Sequence, residues 1–375
     1  MDEHRSATIA PNQKYALLAL DAQARLDGDW LEIAPDLIAL HDPPVDLPKH
    51  WREWLGTIEA QRVEKCRLFI LACMSTSNPG VLDEENRWLE HRADLFYRAI
   101  ALASVGFQMR YGMIMIGARG QREPDVRQAA PLRPIVNTPG LPVSFVVTPA
   151  QLKQAERLAR VLWDLGEHAE YRRLWRALRA FDAALHTQDL SMRLHQLIRA
   201  IEGVVPIPQG GRKATRGLSQ REWFAAKVSL MCGGAADQER LLAMYDSRGA
   251  TEHLALPVRD VQARDPSLSA AEAEVPFAQL VFAGEGLARH ALIRVLSTPS
   301  LRKRFISESG MIEFWGQNDA VVQREWGESF ALAEYAKRFD GDRARDDFER
   351  GRAERQRQRA IIAKAPDTFR SGEQF

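Results

Sequence analysis

Apolar positions along most of this chain recur at three- and four-residue spacing, the period that predicts helices with one buried face. Between Asn86 and Val105 the stripe is Trp88, Leu95, Phe96, Ala99, Ile100 and Ala103, interrupted by Arg92. After Pro149 it is Leu152, Ala155, Leu158, Ala159, Leu162 and Leu165. Residues 168–186 carry Tyr171, Leu174, Trp175, Leu178, Phe181 and Leu185, and residues 190–205 carry Leu190, Leu194, Leu197, Ile201 and Val204. A long helix opening at Pro276 is striped by Phe277, Leu280, Val281, Gly284, Leu287, Ala291, Leu292 and Val295. Residues 61–75 read as a shorter helix closed by STSNPG, and two more helices run from Ser219 to about Met231 and from Asp237 to Ser247.

Two of the helix starts are written in local chemistry. Thr148-Pro149 places a hydroxyl that caps exposed N–H groups ahead of a proline whose missing N–H is not needed there. Ser219-Gln-Arg-Glu222 is a capping box, in which serine and glutamate satisfy each other's backbone N–H. The first sixty residues are less regular: LALDAQARLDGDWLEI suits a helix or a short strand pair, and residues 41–51 form a proline-broken connector. Residues 117–142, rich in Arg, Pro and Gly, read as loop between two β-leaning runs, MIMIG (113–117) and VSFVV (143–147), which could pair as two short strands. No alternation of strand and helix points to a parallel sheet. The expected fold is therefore all-α, a helical domain over residues 86–308 with extensions at 1–85 and 309–375. The last extension ends in GDRARDDFERGRAERQRQR, which buries no face and is expected as a solvated helix or disordered tail, its Arg350, Arg352, Arg355, Arg357 and Arg359 diluted by acids.

Composition narrows the functional classes only a little. Lys plus Arg number 51 against 50 Asp plus Glu, a balance that neither favours nor excludes a polyanionic partner. The three cysteines, Cys66, Cys73 and Cys232, form no CxxC pair and are expected as free thiols in a reducing cytoplasm. No apolar run is long enough to span a bilayer, and no signal-peptide pattern is present, so a cytoplasmic location without membrane association is expected. The phosphate-binding, zinc-protease and serine-hydrolase motifs are missing, and the histidines do not cluster with carboxylates at metal-ligand spacing. The expected chemistry uses no metal and no cofactor.

What remains is MYDSRGATEHLALP (244–257), with Arg248 and His253 five positions apart. On a straight helix such residues are turned about 140° from each other, so they meet only if the helix bends or two copies face each other. Gly249 eases a bend. Histidine moves protons near neutral pH, and arginine holds phosphate without losing its charge, which are the needs of metal-free RNA cleavage. Around them, Tyr245 is placed to line a cleft and stack a base, with core packing as the alternative, and Asp246 is expected to be exposed. Glu202 either orients Arg248 or His253 or makes a surface ion pair with Arg199, three residues earlier. Arg212, Lys213 and Arg216 form a small basic patch suited to RNA backbone or simply to solvent.

The order LHQLIRAIEGVV (194–205), a basic loop, LSQREWFAAKVSLMC (218–232), LLAMYDSRGATEHLAL (241–256) and FAQLVFAGEGLARHALIRVLS (277–297) resembles the HEPN superfamily, most closely its Apea-like members of prokaryotic defence systems. The matching points are Ala200-Ile201-Glu202, Met244-Tyr245-Asp246-Ser247-Arg248 with His253, and a late arginine, Arg289 or Arg294. The resemblance implies a helical bundle that forms a homodimer or higher even oligomer, joins two Arg-x4-His segments in one cleft, and cleaves RNA without metal. It also implies a toxin or antiphage abortive-infection role, with a regulatory partner or phage-derived trigger. Gly249 and Leu254 depart from the family pattern, where a polar residue and a glycine are usual, so a non-catalytic dimeric binding, scaffold or sensor protein is the second expectation.

Overall fold

The computed structural model describes residues 9–45, 47, 49–136, 138–141, 146–208, 215, 217–233, 237–252, 265 and 267–364. The all-α expectation is overturned by a six-stranded antiparallel sheet in the first third of the chain. Its strands are β1 (Gln13–Leu20), β3 (Trp30–Ala34), β4 (Leu37–Leu40), β5 (Leu68–Ser75), β6 (Gly112–Arg119) and β7 (Asp125–Pro131), in the order β3-β4-β5-β1-β6-β7. Two short strands, β2 (Gln23–Ala24) and β8 (Val146–Val147), pair in parallel beside it. Strands from both sides of residue 85 share the one sheet, so no division of the core falls there.

The sheet was hard to read because its centre is covered on both faces. In β1, Ala16, Leu18 and Leu20 face the helices, while Tyr15, Leu17 and Ala19 face α1 (Lys49–Glu64) on the other side. A strand buried on both sides reads as a continuous apolar run without the polar alternation that marks a half-exposed one. The same burial explains β5, whose residues Leu68–Ser75 were expected to continue a helix from residue 61; the helix instead ends at Glu64. The expected loop at 117–142 contains the whole of β7. On the α1 side of the sheet Trp51 donates its indole N–H to the Val126 carbonyl, and Trp54 meets it edge-on at 4.9 Å.

Helices α2 (Glu84–Ala103) and α3 (Pro149–Glu167) cover the other face of the sheet. Charged residues fasten this layer. Lys14, fully buried in β1, reaches Asp83 at 2.6 Å and Glu85 at 2.8 Å, at the N-terminus of α2. Burial would lower the pKa of this ammonium, but hydrogen bonds to the two carboxylates outweigh it and hold the pKa above the ordinary lysine value. Arg92, the break in the α2 stripe, bridges Asp36 in the β3–β4 turn at 3.1 Å and Glu156 of α3 at 2.7 Å.

Beyond the sheet the chain is helical: α4 (Arg172–Leu185), α5 (Leu190–Val204), α6 (Gln220–Met231), α7 (Gln238–Glu252) and α8 (Ala270–Ser297). Short helices α9 (Pro299–Arg304), α10 (Glu308–Gly316), α11 (Asp319–Trp326) and α12 (Leu332–Ala336) follow, and α13 (Gly341–Lys364) closes the described chain. The Thr148 and Ser219 capping boxes form as their sequences require. Helix α8 starts earlier than expected, because Ser269 and Glu272 make a further capping box and Pro276 lies inside the helix. Of the two forms expected for the charged tail, the structure has the helix, tied to α8 by Arg352 and Glu274 at 2.8 Å and exposed from residue 353 to 362.

Helix α5 sits at the centre, flanked by α4, α7 and α8. Its crossing with α4 depends on Gly203: a Cβ there would lie 2.4 Å from the Ala177 Cβ. Gly203→Val is expected to force the two helices apart and to cost about 1–3 kcal/mol of stability. A lower denaturant midpoint with unchanged slope is the result to look for; an unchanged midpoint would mean the helices tolerate a wider crossing.

Candidate functional site

The α4 sequence RRLWRALRAFDAAL sorts into two faces. Leu174, Ala177, Phe181, Ala184 and Leu185 are buried, while Arg172, Arg173, Arg176 and Arg179 recur along the polar side. On α5 the polar side carries Gln196, Arg199 and Glu202. Where the helices cross at Ala177 and Gly203, these sides face each other across an open groove of about 370 Å³, lined by Arg173, Arg176, Arg179, Arg199 and Glu202. The close crossing brings the arginines of both helices to one strip of surface.

Arg173 is anchored: one Nη donates to Glu308 at 2.6 Å and the other to the Glu202 carbonyl at 3.0 Å. Arg176, Arg179 and Arg199 are exposed, and among the described residues no carboxylate lies within ion-pair distance of any of them. Arg176 donates its Nε–H to the Arg172 carbonyl at 3.3 Å, and the Arg179 guanidinium lies 5.9 Å from the centre of the Trp175 ring. The groove thus presents three uncompensated cations beside an anchored fourth.

At Glu202 the groove reaches Arg248. The Arg248 Nη2 donates to Glu202 Oε2 at 3.3 Å, and its guanidinium lies 5.5 Å from the Tyr245 ring centre. The side chains of Arg248 and Glu202 are 20% and 15% exposed, so the pair is sheltered, and of the two Glu202 lines the groove. Of the two roles expected for Glu202, the bond is made to Arg248 and not to Arg199. Tyr245 packs against Phe224, with ring centres 5.0 Å apart, and supports Arg248 from beneath. Asp246 is exposed as expected and holds Arg221 at 2.6 Å on the far side of α7.

The bend considered for Arg248 does not occur: α7 runs through Gly249 to Glu252, and Gly249 has no positive φ. Its surroundings are open, since a Cβ added there would meet nothing within 4 Å. His253, Arg212, Lys213 and Arg216 lie outside the described residues, so the structure brings together Arg199, Glu202, Tyr245 and Arg248 of the expected set. Arg173, Arg176 and Arg179 were missed although the sequence carried a signal: arginines at 172, 173, 176 and 179 keep to one face as strictly as the leucines keep to the other.

Other chemistry is thin. Burial pushes the thiols of Cys66, Cys73 and Cys232 up to about 12, far from a thiolate at neutral pH. Among the described residues no cluster of three or more His, Cys, Asp or Glu is placed to hold a metal, and no helix is long and apolar enough to cross a membrane. Comparison with protein-family models, curated proteins and solved structures returns no match.

Proposed function

We propose that this protein is a metal-independent endoribonuclease that lays an RNA strand along the α4–α5 groove and cuts it at Arg248 and His253. The observation that carries the reading is the row of Arg176, Arg179 and Arg199, without carboxylate partners, leading to Arg248. Exposed guanidinium groups in a row suit a phosphate backbone, and arginine suits it better than lysine because its fork binds two phosphate oxygens at once. The resemblance to HEPN proteins supplies His253 and the dimer.

In this mechanism a neutral His253 takes the proton of a ribose 2′-hydroxyl, and O2′ attacks the adjacent phosphorus. The P–O5′ bond breaks as the leaving oxygen takes a proton from the protonated His253 of a second protomer. Arg248 stabilises the charge on the strained phosphate, and Glu202 holds Arg248 in place. The products are a 2′,3′-cyclic phosphate and a 5′-hydroxyl. A toxin or abortive-infection role, released by a partner or a phage-derived trigger, follows from the resemblance.

The test is cleavage of a mixed RNA pool in EDTA by wild type, Arg248→Ala and His253→Ala. Cyclic phosphate ends from the wild type, with a loss of about 10²–10³-fold in each variant, is the expected outcome. Equal cutting by all three sinks the assignment. The second reading, a non-catalytic RNA-binding protein, is favoured by the Arg248–Glu202 bond, which already occupies one guanidinium nitrogen; RNA retention without cleavage in any of the three would support it.

A further inference from the structure

The longest helix, α8, is apolar for most of its length, yet one stripe departs from this. Gly286, Arg289, His290, Ile293, Arg294 and Ser297 share one face, each having neighbours three or four residues away in the set. This stripe forms one wall of a cavity of about 400 Å³, closed by Glu328, Phe330 and Tyr335 from the segment around α12 and by Gln154 of α3. The size suits a small ligand.

Two glycines shape this space. A Cβ on Gly286 would lie 2.3 Å from the Tyr335 ring, so its absence lets that ring rest on the α8 backbone. A Cβ on Gly327, at φ +81°, would lie 2.2 Å from Arg294 Nη2, so its absence lets the guanidinium cross the chain there. Arg294 donates its Nε–H to the Trp326 carbonyl at 2.6 Å, and among the described residues no carboxylate pairs with it. A half-buried guanidinium with only a carbonyl for company is costly unless an anion visits it.

His290 adds a second unfilled demand. Its ring lies 5.2 Å from Phe330 and is hydrogen-bonded to the Glu328 backbone, and its Nε2 is buried without a partner among the described residues. Burial holds its pKa below the ordinary histidine value, the Glu328 backbone and carboxylate opposing this and Arg294 assisting it, so at neutral pH the ring is uncharged. In the tautomer that carries its proton on Nδ1, this buried Nε2 offers a lone pair to a ligand N–H or O–H. Phe330, Tyr335 and Ile293 supply flat and apolar surface beside it.

We propose that this cavity binds a nucleoside monophosphate, its phosphate on Arg294, its base against Phe330 and Tyr335, and a ligand N–H or O–H on His290. The cavity shares no residue with the α4–α5 groove, so the site stands apart from the RNA-cleavage reading.

The experiment is calorimetric titration of the full chain with AMP, and separately with inorganic phosphate and with adenosine. Four proteins are compared: wild type, Arg294→Gln, Ser297→Trp and Arg176→Ala. Ser297 is exposed at the rim, so tryptophan there fills the opening without removing an internal bond, and unchanged circular dichroism verifies the fold. Saturable AMP binding is expected, weakened about tenfold or more by Arg294→Gln, abolished by Ser297→Trp and untouched by Arg176→Ala. Phosphate and adenosine alone bind more weakly than AMP. The proposal is overturned if AMP gives no saturable heat, if Ser297→Trp binds it as the wild type does, if Arg176→Ala alone weakens it, or if phosphate alone binds as tightly as AMP.

Discussion

Glu285→Ala is expected to cost about 3–5 kcal/mol of stability, because it leaves two buried guanidinium groups without their anion. The Glu285 carboxylate accepts from Arg193 at 2.7 Å, Arg289 at 2.9 Å and the Thr138 hydroxyl at 2.8 Å, in the middle of the core. Arg289 also donates to the Ala101 and Leu102 carbonyls at the end of α2, and Arg193 to the Val136 carbonyl at 3.1 Å. The network carries two positive charges and one negative, and the carbonyl end of α2 offsets the remainder through its partial negative charge. The cluster thereby joins α2, α5 and α8 with Val136 and Thr138, and breaking it is felt in both the sheet layer and the bundle. Denaturant titration checks the figure; a loss below about 1 kcal/mol would mean that water fills the site and compensates.

The same carboxylate predicts an acid response. Burial raises the Glu285 pKa, but Arg193 and Arg289 outweigh it and the folded-state value lies below the ordinary 4.5. A carboxyl with a depressed folded pKa stabilises the protein above its unfolded value and loses that contribution as pH falls through the folded one. The wild-type midpoint should therefore fall on acidification below about pH 4.5, and the fall should be shallower in Glu285→Gln.

Simultaneous replacement of Arg173, Arg176, Arg179 and Arg199 by alanine is expected to weaken binding of single-stranded RNA several hundredfold at about 0.1 M salt. Each phosphate contact to a single strand contributes about 0.7 to the slope of log affinity against log salt, so four contacts remove close to 3 from it. Exposure of Arg176, Arg179 and Arg199 means the fold should survive, whereas Arg173 anchors Glu308, so the triple variant that keeps Arg173 is the control for folding. Fluorescence anisotropy across a salt series gives both quantities. An unchanged slope would show that RNA, if bound, lies elsewhere.

Where sequence reading succeeded, local geometry was sufficient. The α3 stripe emerges as a buried face, and those of α4 and α5 as buried faces with Tyr171, Trp175, Leu178 and Leu190 half-buried at their margins, since residues three and four apart must share a side of any helix. The Thr148 and Ser219 boxes form because their partners are only three residues away. Reading failed where the deciding neighbour was distant. Ala16 pairs across the sheet with Ala72 on one side and Ile116 on the other, and nothing near residue 16 announces either.

The candidate site divides in the same way. The sequence determined by itself that α4 carries a row of arginines opposite its leucines, and that Arg248 and Glu202 are chemically suited to meet a phosphate. Only the tertiary structure decided that Gly203 lets α5 close on Ala177, which sets Arg199 opposite that row, and that Glu202 turns to Arg248 from 46 residues away. The physical reason is range. Periodicity and capping act within a turn or two of the chain, whereas a groove and an ion pair between helices exist only after long loops have closed and the core has fixed which faces touch.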